Sequence, residues 1–258
     1  MSSSSELDRA RERWRRKHRE LGLPDPSGLD EVEPTGLARR VEELSTRIVI
    51  LPGDPFSTEL QFDDEFWGWW DERRETPFGG SLHWNDTVPS IEAAVGFRGY
   101  GEGWDTYLAL HRHGGVELGT SDVYQIGETG RCFRLIRTVG LIWVVLDTQS
   151  EVLRRVGVDG PWQVVLALIN TQGAWLGDVG TGWAEPPDRL GCGTPPCPEP
   201  HVVIRRELED FPVEADAIQG LVFDLGGRIE DAWGVKQRRF LEARGELQGQ
   251  FNPRKWRF

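Results

Sequence analysis

Two histidines placed two residues apart, His111 and His113, form the first pattern in this sequence that could do chemistry. In a β-strand, residues i and i+2 point to the same face, so the two imidazoles would lie side by side. Such a pair supplies half of a metal site, which His83 or Glu117 could complete. One hypothesis is therefore a metal-dependent hydrolase or nuclease that uses His83, His111 and His113. A structural or surface role is favoured, because no third ligand follows a known motif spacing.

A second group of metal-ligating residue types is Cys192, Cys197 and His201, spaced C-x4-C-x3-H. Zinc sites usually show a tighter C-x2-C spacing and a fourth ligand. Cys132 is the remaining cysteine, and its surroundings predict a buried helix rather than a ligand position. We therefore expect a proline-rich loop with two free thiols and no cofactor, with zinc as the alternative.

The glycine-rich run at Gly99, Gly101 and Gly103 has the composition of a phosphate loop. A phosphate loop needs a following helix whose N-terminus meets the phosphate, and here a strand is predicted to follow. The run therefore predicts a turn between strands. The G-x-S-x-G, H-E-x-x-H and C-x-x-C patterns do not occur in the sequence. No catalytic residue is assigned for this reason, and a non-enzymatic function is favoured.

Residues 56–88 combine aromatic with acidic side chains. Carboxylates beside indole rings suit a basic or a sugar ligand, and exposed aromatic clusters are typical of protein interfaces. The opposite interpretation is a surface segment that its tryptophans hold against the core. We predict a protein-contact surface, to which a tryptophan of an N-terminal helix also contributes. The predicted contact residues are Trp14, Phe66, Trp67, Trp69 and Trp70.

The charge is unevenly distributed along a chain whose net charge is -12. Residues 1–23 contain seven Lys and Arg against four Asp and Glu, and residues 236–258 contain seven against two. The part between them is strongly acidic and therefore a poor general surface for phosphate backbones. The basic ends are either solvated or bind nucleic acid. The nucleic-acid candidates are Arg15, Arg16, Lys17, Arg254, Lys255 and Arg257.

Hydrophobic periodicity predicts an α+β fold. Short apolar runs predict strands, and wide apolar stripes at helical spacing predict two long helices. The predicted strands are 47–51, 91–97, 107–113, 116–119, 162–169, 174–177 and 202–204; the predicted helices are 5–22, 36–46, one turn near 63–74, 131–156 and 218 to about 247. This order indicates a mostly antiparallel sheet with two long helices packed on one face, plus an N-terminal helical appendage.

A tight hairpin is predicted where Gly114 and Gly115 separate two of these strands. A two-residue loop sets the register, placing Arg112 opposite Glu117 and His111 opposite Leu118. The opposite charges of Arg112 and Glu117 favour this pairing. Glu117 then points to the face opposite His111, which weakens it as a metal ligand.

The domain organisation follows from proline content and periodicity. A basic helix and an acidic, proline-rich linker precede one domain, and a basic aromatic tail follows it. A long glycine- and proline-rich loop of unassigned role interrupts the domain. The ranges are 1–35 for the helix and linker, 36–250 for the domain with its acidic-aromatic segment 56–88 and core 90–248, 177–200 for the loop, and 251–258 for the tail.

Four short segments occur in an order that resembles a known protein region. They are Trp104–Gly119, Thr138–Asp147, Gly160-Pro-Trp and Gly182-Trp-Ala-Glu-Pro. Together they resemble the C-terminal accessory region of bacterial proteins with a Schlafen-type AlbA_2 domain, which binds ATP or nucleic acid. The likeness covers about 100–245, and the AlbA_2 domain itself is not seen. The resemblance therefore implies no ATP or nucleic-acid activity and no catalytic residue for this chain.

No apolar run reaches the length of about 18 residues that spans a bilayer, and no secretory signal is visible. The three cysteines show no disulfide spacing, so we expect a cytoplasmic protein. The absence of catalytic motifs, twelve tryptophans and charged ends predict a non-enzymatic recognition, sensor or regulatory subunit that contacts a separate effector protein. The alternatives are the metal-dependent hydrolase or nuclease and a nucleic-acid-binding accessory protein that uses its basic ends.

Overall fold

The computed structural model describes residues 46–53, 59–72, 86–89, 93–98, 106–121, 123–127, 130–157, 160–177 and 194–235. The predicted N-terminal helices and linker, the basic tail and most of the loop at 177–200 lie outside these residues. So do Trp14, His83 and Cys192, and all six nucleic-acid candidates. Within the described part of the chain, no helix is long and apolar enough to cross a membrane.

The described residues form ten strands and three helices. The strands are β1 (Thr46–Pro52), β2 (Asp86–Pro89), β3 (Ala93–Arg98), β4 (Thr106–His111), β5 (Val116–Thr120), β6 (Tyr124–Gly127), β7 (Gly130–Arg134), β8 (Trp162–Ile169), β9 (Trp175–Gly177) and β10 (His201–Leu208). The helices are α1 (Asp64–Glu72), α2 (Leu135–Val156) and α3 (Ala215–Ala232).

Seven strands form the main sheet, in the order β10-β8-β1-β5-β4-β3-β2, and every neighbouring pair is antiparallel. A second, three-stranded sheet has the order β6-β7-β9, with β7 and β9 parallel. The two long helices α2 and α3 contact each other, and each contacts strands of the main sheet. The predicted α+β class, with a mostly antiparallel sheet, is confirmed.

The strand β8 shows why a continuous apolar run becomes an interior strand. It pairs with β1 along one edge and with β10 along the other, and all its residues except Gln163 are buried. A strand that is buried on both faces needs no alternation of polar and apolar residues. The predicted bounds 162–169 agree with the structure for this reason.

The main sheet has two faces, because side chains alternate along each strand. The helix face includes Ile48, Leu108, Leu118 and Leu166, which belong to the same core cluster as the apolar residues of all three helices. The second face carries the intervening residues. A small separate cluster on it consists of Val49, Val165 and Ala167, with Leu51 and Val203 packed alongside, and contains no helix residue.

Helix α2 is buried along most of its length, including polar positions. Thr138 and Thr148 are fully buried, and their hydroxyls donate to the carbonyl oxygens of Arg134 and Val144, at 3.1 and 2.7 Å. These bonds satisfy the hydroxyls inside the helix, so they tolerate burial. The helix ends at Gly157, whose positive φ of 65° and N–H bond to a carbonyl of the last turn form a left-handed cap.

Two predicted helix boundaries and one predicted strand pairing were wrong. The helix predicted at 131–156 begins at Leu135, since β7 takes the preceding residues, including Cys132, into the small sheet. The segment at 174–177 pairs with β7 and not with β8. The last helix ends at Ala232 rather than near 247, where Gly234 adopts a positive φ of 70° and its N–H donates to the Asp231 carbonyl.

Candidate functional site

Helix α1 begins with a side-chain cap supplied by the sequence before it. Asp63 accepts a hydrogen bond from the backbone N–H of Phe66 at 2.8 Å through its Oδ1. An aspartate at this position satisfies an N–H that the helix leaves unpaired. Asp64 and Glu65 occupy the first turn, where negative charge is favourable next to the helix N-terminus. This local chemistry explains why a short, aromatic-rich segment forms a helix.

Two of the predicted contact residues hold α1 in the core. Phe66 is 3% exposed and Trp70 is 1% exposed, and both belong to the main core cluster. The Trp70 indole N–H donates to the Thr87 hydroxyl of β2 at 3.2 Å. Their side chains face inward in this structure, so packing is the role that the geometry gives them, in place of the predicted contact with a partner.

Trp67 and Trp69 differ from these two because both remain partly exposed. The Trp67 ring contacts Phe66 edge-on at 5.0 Å and Phe62 at 5.9 Å between ring centroids. The acidic residues of the same segment are exposed. We call this region the α1 surface; it consists of Phe62, Trp67, Trp69 and the exposed acidic residues Glu59, Asp63, Asp64, Glu65 and Asp71.

An arginine of α2 lies on one part of the α1 surface. The Arg155 guanidinium sits 5.1 Å from the centre of the Trp69 ring, and its Nη1 lies 3.2 Å from Oε1 of Glu65. The Trp69 indole N–H also donates to Oε2 of Glu151 at 3.0 Å. The arginine is therefore held by a ring face and a carboxylate at once, and these contacts join α1 to the end of α2.

A second arginine lies on the other side of the α1 surface. Arg112, in the turn between β4 and β5, has its guanidinium 4.4 Å from the centre of the Phe62 ring. Its Nη1 donates to the carbonyl of Leu60 at 3.2 Å and lies 3.7 Å from Oε1 of Glu59. The backbone N–H of Leu60 in turn donates to the Arg112 carbonyl at 2.6 Å. This segment is thus joined to the hairpin as well as to α2.

The hairpin register predicted from the sequence was wrong by three residues. Leu108, and not His111, lies opposite Leu118, and Ala109 lies opposite Glu117. The turn is longer than two residues, because the His111 N–H donates to the Gly115 carbonyl at 2.9 Å and Arg112 to Gly115 connect the strands. An odd shift moves side chains to the other face. Glu117 therefore shares the second face with His111.

This corrected register brings together a buried polar group that we call the sheet cluster: Arg47, Tyr107, His111 and Glu117, each no more than 4% exposed. Arg47 forms an ion pair with Oε1 of Glu117, and the Tyr107 hydroxyl donates to the same oxygen. Nε2 of His111 lies 3.4 Å from the other carboxylate oxygen. Sequence reasoning missed Arg47 and Tyr107, because they look like ordinary members of strands.

A glycine makes room for the sheet cluster. Gly119 lies opposite Tyr107 on one side and Arg47 on the other. A Cβ atom at this position would be 2.2 Å from the Tyr107 ring, so the ring crosses the strand where a side chain is missing. Both long side chains can then converge on Glu117 in the next row of the second face.

Burial dominates the protonation of the sheet cluster. It lowers the pKa of Arg47 and raises the pKa of Tyr107 from their ordinary values, although each partner opposes the shift of the other. Burial, together with the nearby charges of His113 and Arg47, lowers the pKa of His111 to about 3. At neutral pH His111 is consequently uncharged, and its Nδ1 is buried with no hydrogen-bond partner among the described residues.

The predicted histidine pair does lie together, although His113 belongs to the turn and not to β4. The two rings stack at 5.0 Å and 3° between planes, and Nδ1 of His113 accepts the Gly115 N–H at 3.2 Å. Glu117, the possible third ligand, already binds Arg47 and Tyr107. In the described part of the chain, no group of three or more His, Cys, Asp or Glu side chains is arranged to hold a metal ion.

The described residues of the predicted zinc group make other contacts. Cys197 is buried as a free thiol, with its Sγ 3.7 Å from the Glu199 carbonyl. Nδ1 of His201 accepts the Asn170 N–H at 3.2 Å. Cys132 is likewise a buried free thiol in β7. Since Cys192 lies outside the described residues, the zinc hypothesis stays a prediction.

No protein family, curated protein or solved structure matches this chain.

Proposed function

We propose that this protein is a non-catalytic recognition or regulatory module that binds a separate effector protein through the α1 surface. The observation that carries the proposal is the difference in exposure between the aromatic side chains of α1. Phe66 and Trp70 are buried and hold the helix, whereas Trp67 stays half-buried among exposed carboxylates. A partly exposed indole at the centre of a polar rim is the usual anatomy of an interaction hot spot.

The way α1 is held supports this proposal further. Contacts with Arg112 of the hairpin and with Glu151 and Arg155 of α2 support the segment from both sides. A surface whose side chains are already held loses little conformational freedom on binding. Trp67 would therefore be presented to a partner in a preorganised position.

The sheet cluster supports a structural rather than a catalytic interpretation. Its four side chains are no more than 4% exposed, and a substrate would have to reach Glu117, which already binds Arg47 and Tyr107. A buried ion pair in which each charge meets its partner can fix one arrangement of the strands that carry it. We therefore assign the α1 surface, and not the sheet cluster, to recognition.

The test is capture of the partner by the tagged full-length protein from its native host, with variants that alter only the α1 surface. Trp67→Ala removes a half-buried ring that packs at the edge of the core cluster. We expect recovery of the partner to fall by about tenfold or more, since a hot-spot tryptophan contributes more than about 1.4 kcal/mol to binding. Mass spectrometry of the captured proteins measures this recovery.

Asp210→Asn serves as the control, because Asp210 is an exposed acidic residue in the turn between β10 and α3, outside the α1 surface. It must retain the partner at the wild-type level. The thermal unfolding temperature of each variant must match that of the wild type. Equal recovery with Trp67→Ala and with wild type would show that the α1 surface is not the contact.

A further inference from the structure

We propose that Trp67, with the aspartates that precede it, is a binding position for an arginine side chain of the partner protein. This inference rests on the proposed function, because it names the chemistry of the partner at the α1 surface. It is carried by a pattern that recurs in residues 59–69. A carboxylate lies three or four residues before an aromatic residue, and an arginine lies over the ring and beside the carboxylate.

The pattern is occupied twice by arginines of this chain. In the first case Glu59 precedes Phe62 by three residues, and Arg112 lies over the ring and beside the carboxylate. In the second case Glu65 precedes Trp69 by four residues, and Arg155 lies over the Trp69 ring and beside the Glu65 carboxylate. Two independent arginines, from a turn and from a helix, have thus taken the same kind of position on one short segment.

The third instance of the pattern holds no arginine among the described residues. Asp63, which caps α1, and Asp64, in its first turn, precede Trp67 by four and three residues, the spacing that places side chains near one another on a helix. Oδ1 of Asp63 caps the helix, while the Asp64 side chain is exposed and forms no ion pair in the described part of the chain. The Trp67 ring packs against the core cluster and contacts the rings of Phe62 and Phe66, and no arginine of the described residues lies over it.

Arginine fits this position better than lysine for a geometric reason. The planar guanidinium stacks on a ring while its edge donates hydrogen bonds to a carboxylate, whereas an ammonium group is a strongly hydrated point charge. Arg155 follows this geometry, with its guanidinium over the Trp69 ring and a hydrogen bond to Glu65. Arg112 lies over the Phe62 ring with Glu59 at 3.7 Å and donates to the Leu60 carbonyl. The charge also matches: five exposed carboxylates lie on the α1 surface, and the two arginines named above are its cationic neighbours among the described residues. The occupant is therefore a protein segment that presents an exposed arginine.

The experiment uses the full chain and two fluorescein-labelled peptides that carry either arginine or lysine at the same positions in a glycine–serine background. Fluorescence anisotropy measures both affinities. We expect the arginine peptide to bind more tightly than the lysine peptide. Trp67→Ala should weaken the arginine peptide by about two- to fivefold, the size of an exposed cation–π contact, and Trp67→Phe should fall between wild type and Trp67→Ala.

Two charge variants of equal net charge complete the design. Asp64→Asn should weaken the arginine peptide, and Asp210→Asn should leave it unchanged, because only the first lies beside Trp67. Equal binding of both peptides, or no effect of Trp67→Ala on the arginine peptide, would overturn the assignment. A third variant changes Arg254, Lys255 and Arg257 to alanine together. If this variant bound the arginine peptide much more tightly than the wild type, the chain's own basic end would be the occupant, and the assignment to a partner would be overturned.

The same reagents separate this inference from the proposed function. If capture of the partner depends on Trp67 but the arginine peptide fails to displace the partner, the α1 surface is the contact and the arginine assignment is wrong. If capture does not depend on Trp67 at all, the proposed function itself fails. Displacement of the captured protein by the arginine peptide, and not by the lysine peptide, supports both.

Discussion

The molecule combines an arginine, a glutamate and an aromatic ring in two very different surroundings. In the sheet cluster, Arg47 and Glu117 have side chains that are 1% and 3% exposed. On the α1 surface, Arg155 and Glu65 have side chains that are 36% and 84% exposed. Both ion pairs join an arginine to a glutamate, so the comparison shows what burial does to such a pair.

Burial changes what such a pair does for the protein. Water screens an exposed pair, which contributes about 0–1 kcal/mol to stability, and either partner can exchange it for another contact. A buried pair has lost its hydration, so each charge depends on the other. The α1 surface is therefore suited to exchange partners, and the sheet cluster is suited to fix one arrangement of β1, β4 and β5.

The largest expected effect is the loss of the buried carboxylate. Glu117→Ala leaves the Arg47 guanidinium in the sheet without its counter-charge, and Tyr107 without the acceptor of its hydroxyl. We expect the free energy of unfolding to fall by about 3–5 kcal/mol, as for other broken buried pairs. Urea unfolding followed by circular dichroism measures the change.

Glu65→Ala is the matched experiment on the α1 surface and should lower the unfolding free energy by less than about 1 kcal/mol. Replacing both buried partners, as Arg47→Met with Glu117→Leu, should restore most of the stability lost in Glu117→Ala. If Glu117→Ala and Glu65→Ala had similar effects, the contrast between the two regions would be refuted.

The next prediction concerns pH and involves the sheet cluster alone. The pKa of His111 falls from 6.5 to about 3 on folding, so the unfolded chain binds a proton between these values and the folded chain does not. The contribution of neutral His111 to the free energy of unfolding is therefore fully present above about pH 6.5. It is lost as the pH falls toward 3, by up to about 1.4 kcal/mol per pH unit. Protonation of His111 is disfavoured by Arg47 of β1 and His113 of the turn, and it is favoured by Glu117 of β5.

The measurement is the pH dependence of unfolding free energy in wild type and in His111→Gln. Below pH 6.5, the unfolding free energy of the variant should decline less steeply with pH than that of the wild type. The difference in slope corresponds to up to one bound proton, while carboxylates elsewhere contribute equally to both proteins. Parallel curves for wild type and His111→Gln would contradict the assignment.

How far the sequence predicted these two regions depends on the range of the contacts that build them. The helical turn near 63–74 and its aromatic and acidic character were predicted, since capping and composition are local. The sheet cluster was not predicted, because it joins β1, β4 and β5, whose neighbourhood no local pattern reveals. His111 and Glu117 were both noticed, but a register error of three residues placed them on opposite faces.

The same distinction explains the helix and strand boundaries. The run 162–169 was predicted correctly, because a strand buried on both faces, with all residues except Gln163 buried, leaves a nearly continuous apolar signal. Cys132 and its neighbours continue the helical periodicity of α2, yet pairing with β6 and β9 makes them a strand. Within α1, periodicity did not separate the buried Phe66 and Trp70 from the half-buried Trp67 and Trp69, because an aromatic helix offers similar rings on all sides.

The remaining predictions concern two glycines that the two regions use in opposite ways. A Cβ atom at Gly119 would be 2.2 Å from the Tyr107 ring, which Glu117 and Arg47 hold in place. Gly119→Ala should therefore lower the unfolding free energy by about 1–3 kcal/mol, the cost of overpacking a core. Its thermal unfolding should shift to lower temperature without a change in the helical circular dichroism signal.

Gly68 in α1 is exposed, and a Cβ atom there would meet nothing within 4 Å. Alanine at this position reduces the entropy of the unfolded chain and suits a helix, so Gly68→Ala should raise the unfolding free energy by about 0.5–1 kcal/mol. The same thermal scan measures both glycine variants. A stabilised Gly68→Ala protein that still binds the arginine peptide would show that α1 acts as a rigid support for Trp67, whereas a stabilised protein with weaker binding would show that the surface must move to accept its partner.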